Sequence, residues 1–120
     1  MYQTIKVNNI PPTQNELRRM HYRQITAEKK EWERIVGIIV KEQKIQPVDR
    51  VNITYEFHFK DKKRRDPDNY AASAKMLQDG LVKAGVLVDD NFDYVQELRI
   101  TKGETSNHPY ILIKLEEVSA

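Results

Sequence analysis

The strongest chemical pattern in this sequence is a run of basic residues that leads directly into two aspartates. Five of the six residues from 60 to 65 are Lys or Arg, and Asp66 and Asp68 follow on either side of Pro67. Basic side chains bind the phosphates of a nucleic-acid backbone, and carboxylates hold hard divalent cations such as Mg²⁺. The pattern therefore predicts a site where a metal ion and a phosphodiester meet.

The local geometry of this segment allows its acidic residues to share a ligand. Because a residue before proline avoids the helical conformation, we expect Asp66 to be extended. Residues two apart in an extended chain point the same way, so Asp66 and Asp68 can face one metal ion. Asp68 also suits the N-cap of the helix that follows, where the helix dipole favours an ionised carboxylate. Lys75 lies on the same face of that helix, about 10 Å along its axis, and can approach a bound anion.

The composition limits the chemistry to oxygen ligands. The 120-residue chain has no cysteine, which excludes disulfides, thiolate catalysis and cysteine-bound metals. Its three histidines are far apart, without the paired spacing of a zinc site, so a metal ion would need mostly carboxylates. No apolar run is long enough to cross a membrane and no signal-peptide pattern opens the sequence, so we expect a cytoplasmic protein. The net charge of +2 alone does not indicate nucleic acid, but the clustering of basic residues does.

Strands and helices must position these residues. The clearest strand signal covers residues 51–59, where apolar and polar residues alternate without error up to the basic run. A short strand is predicted at residues 5–7, and residues 13–23 are predicted to form a basic loop or a frayed helical turn. A long amphipathic helix is expected from an N-cap at Thr26 to about Lys44.

The second half of the sequence predicts one more helix and three strands. The helix covers residues 69–83 and ends at a C′ glycine, Gly85. Residues 86–88 are read as a short strand, and Asp89-Asp90 offers a third acid if that strand pairs beside residues 51–59. Two further strands are predicted at residues 94–101 and 110–115, joined as a hairpin. The predicted fold is a single α+β domain, with a mixed sheet and two main helices packed against it.

The central part of the chain resembles the RusA family of Holliday junction resolvases, the crossover junction endodeoxyribonucleases. The similarity lies in the basic run before Asp66-Pro67-Asp68-Asn69, in Lys75, and in Lys83-Ala84-Gly85 followed by Asp89-Asp90. The opening Pro11-Pro12-Thr13-Gln14-Asn15 also resembles the proline–asparagine opening of that family. Residues 60–90 carry the specific part of the resemblance, while the chain length and the order of elements agree with it.

The resemblance implies a role for each matching residue. Asp66, Asp68 and Asp90 correspond to catalytic carboxylates that bind Mg²⁺, for which Mn²⁺ can substitute, and Lys75 corresponds to an essential lysine. Shorter relatives have about one helical turn less before this lysine, and only alignment separates Asp90 from Asp89. The expected DNA-binding residues are Lys62, Lys63, Arg64, Arg65, Asn15, Arg18, Arg19 and Arg23.

The same resemblance implies an activity. The family cleaves four-way DNA junctions by paired symmetric nicks during recombination and repair, acts as a homodimer, and often travels with phages and prophages. No small-molecule cofactor and no membrane partner are implied.

Two other functions remain open on the sequence alone. Asp-Pro-Asp-Asn is also an ordinary turn and cap sequence, and a basic run can be a plain electrostatic surface. The chain could therefore be a non-catalytic protein that binds branched DNA, or a nuclease of flaps or forks. An enzyme needs Asp66, Asp68 and Asp90 to converge on one metal ion, whereas a binding protein needs only the basic face.

Overall fold

Two helices follow the first strand, a second strand and a third helix come next, and two strands follow the last helix. A computed structural model describes residues 1–118. In chain order the elements are β1 (Tyr2–Val7), α1 (Gln14–Arg18), α2 (Tyr22–Glu42), β2 (Val51–His58), α3 (Pro67–Lys83), β3 (Val95–Lys102) and β4 (Tyr110–Glu117). None of the helices within residues 1–118 combines the length and hydropathy that a bilayer crossing requires.

The four strands form one mixed sheet in the order β1-β4-β2-β3. The strand β4 is antiparallel to both β1 and β2, whereas β3 is parallel to β2. Parallel neighbours need a crossover connection, and α3 supplies it between β2 and β3. The predicted α+β class, with a mixed sheet and two main helices in a single compact domain, is confirmed.

The core lies on one face of the sheet, under α2 and α3. Alternate side chains of β2 are buried, as its sequence pattern predicts, and those of β4 alternate in the same way. On α3, Ala74, Leu77 and Leu81 are buried, while Tyr70 is half-buried. The predicted C′ glycine is also confirmed, because Gly85 has the positive φ of 81° that ends a helix without strain.

The contact between α2 and α3 depends on one glycine. A Cβ atom placed on Gly80 of α3 would lie 2.9 Å from Cγ2 of Val36 on α2, closer than ordinary van der Waals contact. The absence of a side chain at Gly80 therefore lets the two helices approach each other at this point.

The predicted start of the long helix is wrong. His21, and not Thr26, is the N-cap of α2, and its Nδ1 accepts a hydrogen bond of 3.2 Å from the Arg23 amide. Thr26 lies inside the helix and donates its hydroxyl to the Tyr22 carbonyl. Residues 13–23 contain the short helix α1, whose N-terminus is capped by a capping box between Thr13 and Glu16.

Two predictions of strand pairing are also wrong. Residues 86–88 form no strand; instead the Val86 carbonyl accepts a hydrogen bond from the Val48 amide, and the chain turns. The place beside β2 is taken by β3. The strands predicted at residues 94–101 and 110–115 exist as β3 and β4, but they form no hairpin, because β4 inserts between β1 and β2.

Candidate metal and nucleic-acid site

The basic run forms the loop that leaves the carboxyl end of β2. Lys62, Lys63 and Arg64 are exposed, and the Arg64 side chain keeps 89% of its exposure although it lies 3.5 Å from Asp66. Exposed cations with weak internal contacts are free to bind phosphates.

Arg65 differs from its neighbours because it braces the loop. Its Nη2 is 2.9 Å from Oδ1 of Asp61, and its Nη1 donates to the carbonyls of Asp61 and Lys63. Its guanidinium also lies over the Phe59 ring, 4.2 Å from the centroid. A hydrogen bond from the Lys63 amide and the Arg65 side chain together hold the pKa of Asp61 below its ordinary value. Arg65 therefore serves mainly to shape the loop.

The two aspartates of the motif begin α3. Asp66 is extended, with φ −100° and ψ 130°, which confirms the expected effect of Pro67. The predicted cap position is off by two residues, because Asp66 is the N-cap residue and Asp68 lies in the first turn. Proline favours the first helical position, which shifts the helix start from Asn69 to Pro67. Both aspartates are exposed, and the Asp66 carboxylate makes no capping hydrogen bond.

The proline–asparagine opening is tied to the same helix start. The amide of Asn15 donates a 2.9 Å hydrogen bond to Oδ1 of Asn69. The buried Ser73 hydroxyl is within hydrogen-bond distance of the carbonyls of Pro11 and Pro12, at 2.8 and 3.0 Å. We call these hydrogen bonds the tether. They bring together the proline–asparagine opening and the start of α3, two of the segments that carry the sequence resemblance. The sequence analysis assigned no role to Asn69 or Ser73, although Asn69 is the last residue of the Asp66-Pro67-Asp68-Asn69 motif and Ser73 lies one helical turn after it.

The basic residues predicted near α1 are also exposed. Arg18, Arg19 and Arg23 all face solvent, and the Arg23 guanidinium lies 5.9 Å from the centre of the Tyr22 ring. Because the tether holds the start of α1 against α3, Arg18 and Arg19 at the end of α1 belong to the same part of the molecule as the start of α3, while Arg23 lies in the first turn of α2.

Lys75 meets the acidic pair that precedes β3. Its Nζ donates to Oδ2 of Asp90 and to Oδ1 of Asp79, the latter at 2.9 Å. The structure thus brings together two predicted residues that are 15 positions apart in the chain. Asp90, and not Asp89, makes this contact, while Asp89 accepts a 2.7 Å hydrogen bond from the Asp90 amide.

These contacts change the ionisation of both partners. Hydrogen bonds to Asp79 and Asp90 raise the pKa of Lys75, and the hydrogen bond from Lys75 lowers the pKa of Asp90. Sequence reasoning missed Asp79, although its position four residues after Lys75 is the ordinary spacing of a helical ion pair.

The acidic residues form two groups along α3. Asp66 and Asp68 lie at its start, whereas Asp79, Asp89 and Asp90 line an open cleft of about 250 Å³ further along the helix. Lys29 also lines this cleft, 3.7 Å from Asp79. Across residues 1–118, no cluster of three or more acidic or histidine side chains is close enough to hold a metal ion.

Comparisons with known proteins add no family assignment. No protein-family model matches this sequence, and no curated protein gives a significant match.

Proposed function

We propose that this chain is a Mg²⁺-dependent endonuclease that nicks branched DNA, with the four-way junction as its substrate. The observation that carries the proposal is the contact of Lys75 with Asp90. Lys75 lies on α3, the helix that begins with Asp66 and Asp68. The family resemblance assigns these four residues to one site; Lys75 contacts Asp90, whereas Asp66 and Asp68 lie apart from them at the start of α3. The protein would work in the cytoplasm, where its DNA is, as a homodimer whose two-fold symmetry matches paired nicks.

The available ligands suit Mg²⁺ by their chemistry. All candidate donors are carboxylates, and the exposed Asp66 and Asp68 have no strong internal partner. To hold one ion, Asp66 and Asp68 would have to move close to Asp90, from which they are separated in residues 1–118 as described. The ion would then lower the pKa of a bound water and offset charge on the phosphate.

The chain's own cations support the same proposal. Lys75 keeps Asp90 ionised, and the raised pKa of Lys75 keeps its own charge at neutral pH. The exposed cations before α3 and those near α1 would bind phosphates on either side of the scissile bond. The aspartates and Lys75 would then carry the chemistry, and the exposed basic residues would position the DNA.

A second candidate is a protein that binds branched DNA without cleaving it. The separation of the acidic residues into two groups favours this function, because a binding protein does not need them to meet. Both candidates use the same basic surface, so only a cleavage measurement separates them.

The test is cleavage of a labelled synthetic four-way junction in Mg²⁺, with a linear duplex of the same sequence alongside. We expect paired nicks on the junction alone, reduced at least a hundredfold by Asp68→Asn and by Asp90→Asn, while junction binding in EDTA is retained. The matched control is Asp49→Asn, which changes an exposed aspartate away from α3 and should cleave normally. Tight junction binding without cleavage in either Mg²⁺ or Mn²⁺ would establish the second candidate instead.

A further inference from the structure

A pocket of about 290 Å³ opens where the parallel strands β2 and β3 end, beside the start of α3. Ligands of sheets with parallel strands commonly bind at the carboxyl ends of those strands. The pocket is lined by Tyr70 and by residues from both strand ends, whereas Lys75, Asp79 and Asp90 are not among its lining residues. It is therefore distinct from the acidic cleft.

The floor of the pocket is aromatic. Phe57 and Phe59 lie nearly parallel, with ring centres 5.9 Å apart. Tyr70 approaches both rings edge-on, with ring centres 5.3 and 5.0 Å away. The Arg65 guanidinium adds a further flat surface over Phe59. Phe57 and Phe59 are only 1% and 7% exposed, so Tyr70 and the Arg65 guanidinium are the flat groups that a ligand can reach. Aromatic rings and guanidinium planes are surfaces on which unpaired nucleobases stack.

The rim of the pocket is strongly basic. Five of its twelve lining residues are cations and one, Asp66, is an acid. The cations are Lys62, Lys63, Arg64, Arg65 and Lys102. An apolar ligand would gain nothing from this charge, and a free cation would be repelled by it. The complementary ligand has a flat aromatic part and a negatively charged part.

We propose that this pocket binds one unstacked nucleobase of a DNA strand, with the neighbouring phosphates held by the basic rim. The inference rests on the proposed function in taking DNA as the ligand, but it needs neither the metal ion nor cleavage. The pocket adjoins Asp66, so a strand held in this way would place its backbone at the beginning of the motif helix.

The test compares two single strands of equal length and charge, a thymine 12-mer and the same backbone with abasic sites, by fluorescence anisotropy in EDTA. Loss of base stacking typically weakens binding by a factor of about ten or more. We therefore expect wild-type protein to bind the thymine strand about tenfold more tightly than the abasic strand. Equal binding of the two strands by the wild type would overturn the proposal.

Two substitutions locate the preference. Tyr70→Leu should remove the preference while leaving affinity for the abasic strand unchanged, and Tyr70→Phe should preserve it. The control is Tyr2→Leu, an exposed tyrosine on the edge strand β1, which should behave as wild type. A folded Tyr70→Leu protein that still prefers the thymine strand would also overturn the proposal. A base preference in a protein that never cleaves junctions would leave this pocket supported and the nuclease proposal refuted.

Discussion

Lys75 is held by two carboxylates that reach it from different directions. Asp79 lies one helical turn away on α3, and Asp90 comes from the loop before β3. Lys29, 3.7 Å from Asp79, adds a second positive charge beside the two carboxylates. The contact of Lys75 with Asp90 also fixes the loop that contains Asp90 against the helix. Lys75 therefore affects both the local charge and the position of the loop that contains Asp90.

Acid should weaken this contact in a predictable pH range. The pKa of Asp90 is lowered in the folded protein, so its contribution to stability is complete above the unfolded pKa of about 4 and disappears as the pH falls through the folded value. At pH 6 we expect Asp90→Asn to lower the free energy of unfolding by about 1 kcal/mol or less, as for a largely exposed ion pair. Urea denaturation from pH 6 to pH 3 should show the difference shrinking.

The Lys75→Met background provides the control for this measurement. Without the lysine, Asp90→Asn should have little effect at any pH, because the interaction that lowers the pKa is gone. A difference that stays constant between pH 6 and pH 3 would mean that the loss comes from packing and not from ionisation.

At the scale of elements, regular patterning made some structure predictable. Strict alternation identified β2, and glycine placement identified the end of α3. Strand neighbours were not predictable in the same way, because β3 pairs with β2 through contacts between distant segments. In the sequence, the short apolar segment at residues 86–88 resembled a better partner for β2 than β3 did, although the chain turns there. Local periodicity describes a strand but not its neighbour.

The residues of the candidate site were likewise predictable from the sequence only in part. Motif spacing indicated Asp66, Asp68 and Lys75, and the family resemblance added Asp90. The structure joins Lys75 to Asp90 but leaves Asp66 and Asp68 apart from them. The bracing role of Arg65 was not predictable, because it depends on the position of Phe59 beneath it. Similarly, the pocket could not be seen in the sequence, since it forms between the ends of two strands and a helix.

Two helical glycines give a matched test of helix packing. A Cβ on Gly37 of α2 would have no neighbour within 4 Å, so Gly37→Ala should stabilise the protein by about 0.5–1 kcal/mol through helix propensity. On Gly80 the same atom would press on the stiff, branched Val36, and overpacking costs about 1–3 kcal/mol.

We therefore expect Gly80→Ala to lower the free energy of unfolding despite its better helix propensity. Chemical denaturation of both variants provides the comparison. Equal stabilisation by the two alanines would show that α2 and α3 can separate slightly without loss, contrary to the close contact in the structure.

At the scale of the whole molecule, the net charge of +2 conceals an uneven distribution. Cations are concentrated in the loop before α3 and near α1, whereas acids gather around Lys75. A DNA-binding protein can thus have nearly balanced total charge, because the field near one surface determines where a polyanion binds. This distribution was predictable from the sequence in part, through the run at residues 60–65.

The uneven charge should be measurable as salt dependence of junction binding. Each phosphate contact contributes about 0.9 to the slope of log affinity against log salt concentration. Replacing Lys62, Lys63 and Arg64 together by Gln should therefore reduce the magnitude of that slope by up to about 3. Lys41→Gln, an exposed change at the end of α2, should leave the slope unchanged. A triple variant with an unaltered slope would place DNA elsewhere on the molecule.

The position of β4 has a consequence for the order in which the protein can be completed during synthesis. The strand lies in the interior of the sheet, between β1 and β2, yet it is the last strand of the four along the chain. Until residues 110–117 leave the ribosome, β1 has no partner strand, and the edge of β2 that pairs with β4 is also unpaired. The nascent chain therefore exposes residues 60–90, which contain the basic run and the motif aspartates, before the sheet that supports them can form.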